Sequence, residues 1–350
     1  MGSFSKSAHA DIYTRMPKVE LHRHLEGSLR LDTLIEIAGR YRDILPSSRD
    51  IPALGQVQED DEMTFSNFLS KFQVLRYFYQ TPEIIRRVAY EVVEDAARDG
   101  IAYLELRFAP AALSRVQNFP MGEVMDWVIE KVQQASEEYK IITRLVTTFN
   151  RHEEVSLAEK VTQLAVDRID KGIVAIDLAG NEAEFSALPF AGVIKEAKES
   201  GLYATIHAGE WSGAENVRQA LEVLQADRIG HGVRILEDPQ TVQFACDQKA
   251  SFEVCLTSNY QSGVVPRVED HPLPLMLAAG LNVTINTDDP GISQITLSDE
   301  YRQACEKLGL TIPDLHGRIL AAARASFLPD QERQDLIVAL SDRLAGSLES

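Results

Sequence analysis

"RDGIAYLEL", Arg98 to Leu106, places a helix end, a glycine and an apolar run directly in line. A glycine just past a helix supplies the left-handed cap that lets the chain reverse. The short apolar run behind it reads as a strand buried on both faces, as in parallel sheets. The same unit returns as "DKGIVAIDL" at Gly172, "ESGLYATIH" at Gly201 and "AAGLNVTIN" at Gly280. Upstream of Gly100, Thr81 reads as an N-cap with Pro82 at the first helical position. Ile84, Ile85, Val88, Val92, Val93 and Ala96 then form a stripe at helical spacing.

Strand candidates number eight, near residues 19–25, 101–108, 142–149, 172–179, 203–208, 228–233, 251–257 and 282–287, with helical patterns between most of them. That alternation predicts an α/β fold, a TIM (β/α)8 barrel. A doubly wound open sheet is the competing architecture, but it usually carries a Gly-rich phosphate loop after its first strand, and none is present. The stretch from Gly27 to Gly100 exceeds a simple crossover, so extra helices are inserted after the first strand. Within it, "TFSNFLSKFQVLRYFYQ", 64–80, reads as an amphipathic helix over the C-terminal mouth of the barrel, where active sites lie. No low-complexity linker interrupts the chain, so residues 1–350 read as one domain with a flexible N-terminus over 1–12.

The chain has 350 residues and a formal charge of −18, which argues against nucleic acid and anionic membrane surfaces as partners. A small neutral or cationic ligand is easily accommodated. Three cysteines make no disulfide framework and fit a reducing cytosol. "MGSFSKSAHADIY" lacks the apolar core of a secretory signal, and no run approaches a membrane span. The expectation is a cytoplasmic protein.

Polar residues gather at the strand ends. The first strand ends in "HRH", the fourth in "DLAGNE", the fifth in "IHAGE", the sixth in "RIGHGV" and the eighth in "INTDDP". His22 and His24, two apart on a strand, leave the same face, as two surface histidines or two metal ligands would. With His207 and Asp288 they make a donor set suited to zinc, which lowers the pKa of a bound water to about 7. His231 and Glu210 stand beside it as acid–base groups. One such residue is commonly a cap or turn former; five ends converging on one rim point to hydrolytic chemistry.

"MPKVELHRHLEGSLR", "DLAGNE", "HAGE", "RIGHGVR", "SNYQSG" and "NTDDP" resemble, in order from about residue 16 to 291, the motifs of the adenosine deaminase family. HxH alone is shared by many amidohydrolases; the ordered set is specific. The resemblance implies hydrolysis of adenosine or 2′-deoxyadenosine to the 6-oxopurine nucleoside and ammonia. It implies one zinc ion per subunit on His22, His24, His207 and Asp288, and a monomer. Glu210 would protonate purine N1, His231 would orient the attacking water and help deprotonate it, Asp289 would bond near N7 and the Gly180 N–H would reach N3. Phe65, Phe68 and Leu69 would cover the purine. "DLAG" has no lysine to bridge two metals. His152-Glu153-Glu154 matches half of the cytidine-deaminase zinc signature, but there is no C-x-x-C.

Departures from the family are few. Glu26 stands where Asp is usual near the ribose 5′-hydroxyl, which leaves free adenine, or a 5′- or N6-modified nucleoside such as 6-aminodeoxyfutalosine, as the alternative substrate class. Arg23 points away from the ligands, to snorkel or pair with an acid. Leu256 replaces a usual Pro. His152 reads as a loop-holding residue, His271 as a residue at the start of a helix, His9 and His316 as solvent-facing, and Cys255 as a small buried hydrophobe. A zinc-bearing binding protein without catalysis, and an amide or phosphoester hydrolase on a similar barrel, are the competing functional classes. The intact acid–base residues disfavour the first, and Glu210 beside a ring nitrogen disfavours the second.

Overall fold

A computed structural model describes residues 12–347. The N-terminal stretch expected to be flexible lies outside these residues, apart from Ile12, which begins a helical turn, and so does His9. Eight parallel strands follow in sequence order: β1 Lys18–His24, β2 Ile101–Phe108, β3 Ile142–Asn150, β4 Ile173–Ala179, β5 Tyr203–Ala208, β6 Arg228–His231, β7 Ser251–Val254 and β8 Asn282–Ile285. Helices cross between them, as in a TIM barrel. The four glycines of the repeated unit all have the left-handed backbone of a helix terminator, with φ of 79°, 97°, 98° and 86°. The helix Pro82–Arg98 buries its predicted stripe, and Thr81 Oγ1 accepts from the Ile84 N–H at 3.3 Å.

β8 meets β1 through an isolated bridge, Arg23 to Asp288, so the cylinder closes at a narrow seam. The His24 N–H donates to the Asp288 carbonyl at 2.8 Å and the Asp288 N–H to the His22 carbonyl at 2.9 Å. Below them the Leu21 N–H donates to Asn286 Oδ1 and the Thr287 N–H to Glu20 Oε1. Arg23 is buried and its guanidinium lies 2.6 Å from Glu20, so the acid-paired option holds. The last three strands are shorter than the apolar runs suggest. β6 turns at His231 and Gly232, both at positive φ, β7 passes at Cys255 into the helix Leu256–Gln261, and Asp288 again has positive φ.

The barrel interior is not the all-apolar filling that the strand runs suggest. Glu105, Arg107, Asp177, Arg228 and Glu253 are at most 1 % exposed. Arg228 bridges Glu105 and Glu253, the latter at 2.5 Å, and donates to the Ala325 carbonyl at 2.8 Å. Its guanidinium stacks on Phe327, 3.6 Å from the ring centre, which ties the segment after the helix Ile312–Ala325 to the barrel floor. The two arginines hold Glu253 well below its usual pKa despite burial. Replacing Arg228 by Met leaves the buried Glu105 without its arginine and Glu253 with Arg107 alone, and is expected to cost about 3–5 kcal/mol. Thr81→Ala, which removes only the cap, should cost about 1 kcal/mol. Urea unfolding measures both, and equal losses would contradict the role given to the ion pair.

Candidate active site

At the C-terminal rim the strand ends bring four ligand atoms together. One atom from each of His22, His24, His207 and Asp288 lies within 4.8 Å of all the others. Period-two alternation puts His22 and His24 on one face of β1, with Nε2 atoms 3.1 and 3.3 Å from Asp288 Oδ1. The orientation of two rings is set from beneath. His22 Nδ1 bonds Glu253 Oε2 and His207 Nδ1 bonds Asp177 Oδ1, each at 2.9 Å. Arg107 joins these carboxylates, 2.8 Å from Glu253 and 3.5 Å from Asp177. With Nδ1–H donated outward, each neutral imidazole turns a bare Nε2 inward. His22 Nε2 is buried without a hydrogen-bond partner although a carboxylate oxygen lies 3.1 Å away. Two electron-rich atoms facing each other fit a cation between them, and imidazoles backed by carboxylates are the usual surroundings of a metal. A metal centre fits these residues. Cys255 also lies near His231 and Asp288, but burial pushes its thiol pKa well up, so it stays a neutral thiol.

Two of the rim residues are held in costly backbone. His231 has φ 60° and Asp288 φ 67°, a conformation that non-glycine residues adopt rarely and at roughly 1–3 kcal/mol. Close approach demands glycine twice. A Cβ on Gly230 would lie 3.1 Å from the His22 ring, and one on Gly27 only 1.8 Å from Asp289 Oδ1.

Glu210 is fixed by a residue that sequence reading passed over. Glu182, at the end of "DLAGNE", accepts the backbone N–H groups of Gly209, Glu210, Trp211 and Ser212 at 2.6–3.1 Å. This clamp shapes the turn after β5 and presents the Glu210 carboxyl to the site, 3.6 Å from His231 Nε2. Burial, with Asp288 and Glu182 nearby, pushes the Glu210 pKa well up and so favours its protonated form. Asp289 is also pushed up, chiefly by burial and by Asp288, and its Oδ1 is buried without a partner.

A cavity of about 360 Å³ opens beside these groups, a size suited to a small molecule. His24, Glu26, Gly180, Phe65, Phe68 and Leu69 all line it, as do Arg76, Trp211 and Asp289. The lid helix runs Phe65–Leu75, capped by Thr64, and its Phe65 ring sits 4.0 Å from that of Trp211. Glu26 Oε1 accepts from the Ala109 N–H at 2.6 Å, and burial raises its pKa to about 7. A larger, more open groove of about 870 Å³ crosses the opposite end of β3 to β5, but no histidine or buried carboxylate lines it.

His152 is exposed on the cavity rim, with Phe185 6.1 Å away. His316 is half-buried on the inner side of its helix, next to Leu315 and Ile319, rather than solvent-facing. His271 lies two residues before the helix Leu273–Ala278, and it is buried against Asn259. Glu105, Arg107, Asp177, Arg228 and Glu253 leave a trace in the sequence: each is a charge on an otherwise largely apolar strand, which only a buried partner makes tolerable.

The family model "Adenosine deaminase" matches residues 17–343. An adenosine deaminase of Klebsiella pneumoniae (strain 342) is 34% identical over 328 residues, covering 93% of this chain and 98% of its own. A crystal structure of an amidohydrolase from Burkholderia ambifaria with bound Zn superposes with a TM-score of 0.90 at 25% identity, covering 99% of this chain and 96% of that one. The adenine deaminase of Arthrobacter aurescens gives 0.87 at 26% identity, over 96% of this chain and 100% of its own. The match runs through every strand end that carries a ligand or an acid–base group, and the chain belongs to the adenosine deaminase family.

Proposed function

We propose that this protein is a zinc-dependent aminohydrolase that converts adenosine and 2′-deoxyadenosine to inosine and 2′-deoxyinosine with release of ammonia. One observation carries the reading: four inward-facing ligand atoms within 4.8 Å, with the buried carboxyl of Glu210, whose protonated form burial favours, beside them at the wall of a nucleoside-sized cavity. Residues 1–350 act as one monomeric domain, and the three free cysteines suit a cytoplasmic setting. Among the described residues, no helix is long and apolar enough to cross a membrane.

His22, His24, His207 and Asp288 hold the ion, which when bound supplies hydroxide at neutral pH. Glu210 gives its proton to purine N1, which draws electron density from C6 and makes it electrophilic enough for an addition that must break the ring's aromatic character. The unpartnered Asp289 Oδ1 bonds near N7, and the Gly180 N–H reaches N3. Phe65, Phe68 and Leu69 cover the base and exclude water. Glu26 lies at the sugar end. Its extra methylene relative to Asp supports a second reading in which free adenine, or a 5′- or N6-modified nucleoside such as 6-aminodeoxyfutalosine, is the better substrate.

Ultraviolet monitoring of the zinc-loaded protein with adenosine, 2′-deoxyadenosine, adenine and 5′-modified nucleosides should show the nucleosides losing their amine fastest. If no 6-aminopurine reacts, both readings fail. Glu26→Asp should shift the nucleoside-to-base preference by more than about twofold; a smaller change removes Glu26 as the selector. Glu210→Gln keeps the shape but loses the proton, and kcat should fall by about 10²–10⁴-fold with KM little altered. Asp177→Asn leaves every proposed ligand in place yet should weaken zinc binding about 10–100-fold, read by chelator competition.

A further inference from the structure

His231 is a buried rim histidine outside the proposed ligand set, and a buried chain of hydrogen bonds runs away from it. Asn259 Nδ2 lies 3.2 Å from His231 Nδ1, Asn259 Oδ1 lies 3.1 Å from His271 Nε2, and the Leu273 N–H donates to His271 Nδ1 at 3.1 Å. All three side chains are at most 3 % exposed. The chain begins at a backbone N–H, which can only donate, and that fixes the polarity of every later link. His271 Nδ1 accepts, so it is bare. Burial holds the His271 pKa down to about 3, so the ring is neutral and its single proton sits on Nε2. The Asn259 atom facing that proton is then the carbonyl oxygen, which turns the amide NH₂ toward His231. His231 Nδ1 must accept. The opposite side of the ring agrees: Nε2 faces carboxylate oxygens of Glu210 at 3.6 Å and Asp288 at 3.8 Å, both natural acceptors.

We propose that Asn259 and His271 are positioning residues that hold neutral His231 as the Nε2–H tautomer, so that it donates a hydrogen bond into the site and does not act as the base that takes a proton from water. This corrects the base role expected from the family resemblance and rests on the deaminase reading for its catalytic meaning. The tautomer itself does not depend on that reading.

Nitrogen-15 spectra of histidine-labelled, zinc-loaded protein test this directly, with His231 assigned by the resonance lost in His231→Ala. His231 should show a bare Nδ1 and a protonated Nε2, the reverse of His22 and His207, whose Nδ1 atoms donate to carboxylates. Asn259→Asp presents only acceptors to both rings and should move the His231 proton to Nδ1. Its kcat should fall about 10²-fold with KM within about threefold, below the kcat of Asn259→Ala, in which nothing imposes the wrong tautomer. A proton on His231 Nδ1 in the native protein overturns the proposal, as does an Asn259→Asp enzyme with native kcat. If Asn259→Asp does not fold, the native spectrum decides alone. A protein inactive on every 6-aminopurine but with Nε2–H at His231 would remove the deaminase reading and leave the relay standing.

Discussion

The barrel depends on opposite charges kept apart from water. Glu253 and Asp177 lie in the lumen, each shared between an arginine and a histidine that faces the rim. An unpaired carboxylate there would be costly to bury. Arg107 and Arg228 supply the compensation, and the carboxylates stay ionised and aim two rings upward. Buried ion pairs seldom add much net stability over apolar packing. What this network fixes is direction, because it makes the tautomer of His22 and His207 a property of the barrel floor.

Strain is concentrated at the other end of the same strands. His231 ends β6 and Asp288 lies just past the end of β8, and both sit in left-handed backbone. Such conformations persist only where the surroundings determine them strongly. Here the seam hydrogen bonds hold Asp288, while Asn259 and Glu210 flank His231.

Much of this architecture was legible along the chain. Gly100, Gly172, Gly201 and Gly280 mark helix ends because only a residue without Cβ adopts that turn at no cost, and the apolar runs behind them have no other reading than strand. The ligands were legible because histidine and aspartate interrupt such runs at their last residue. The strand ends near 233, 257 and 287 were overrun, because apolar character continues past the point where function bends the backbone. Glu182 was invisible since its partners are backbone N–H groups 27 to 30 residues away. Asn259 was legible as part of the SNYQSG motif and His271 as a helix-start residue, and only three-dimensional proximity turns them into a line leading to His231. Arg107 and Arg228 meet Glu253 only across the barrel lumen, on a strand far along the chain from Arg107.

The seam between β8 and β1 has one further consequence. Seven of the eight strand junctions are continuous ladders, whereas the eighth relies on the bridge at Arg23 and Asp288 and a few side-chain bonds. Three of the four proposed ligands, His22, His24 and Asp288, come from its two lips. An ion bound there would act as a rivet across the weakest joint of the wall, so its binding would add to the hydrogen bonds that already close the cylinder.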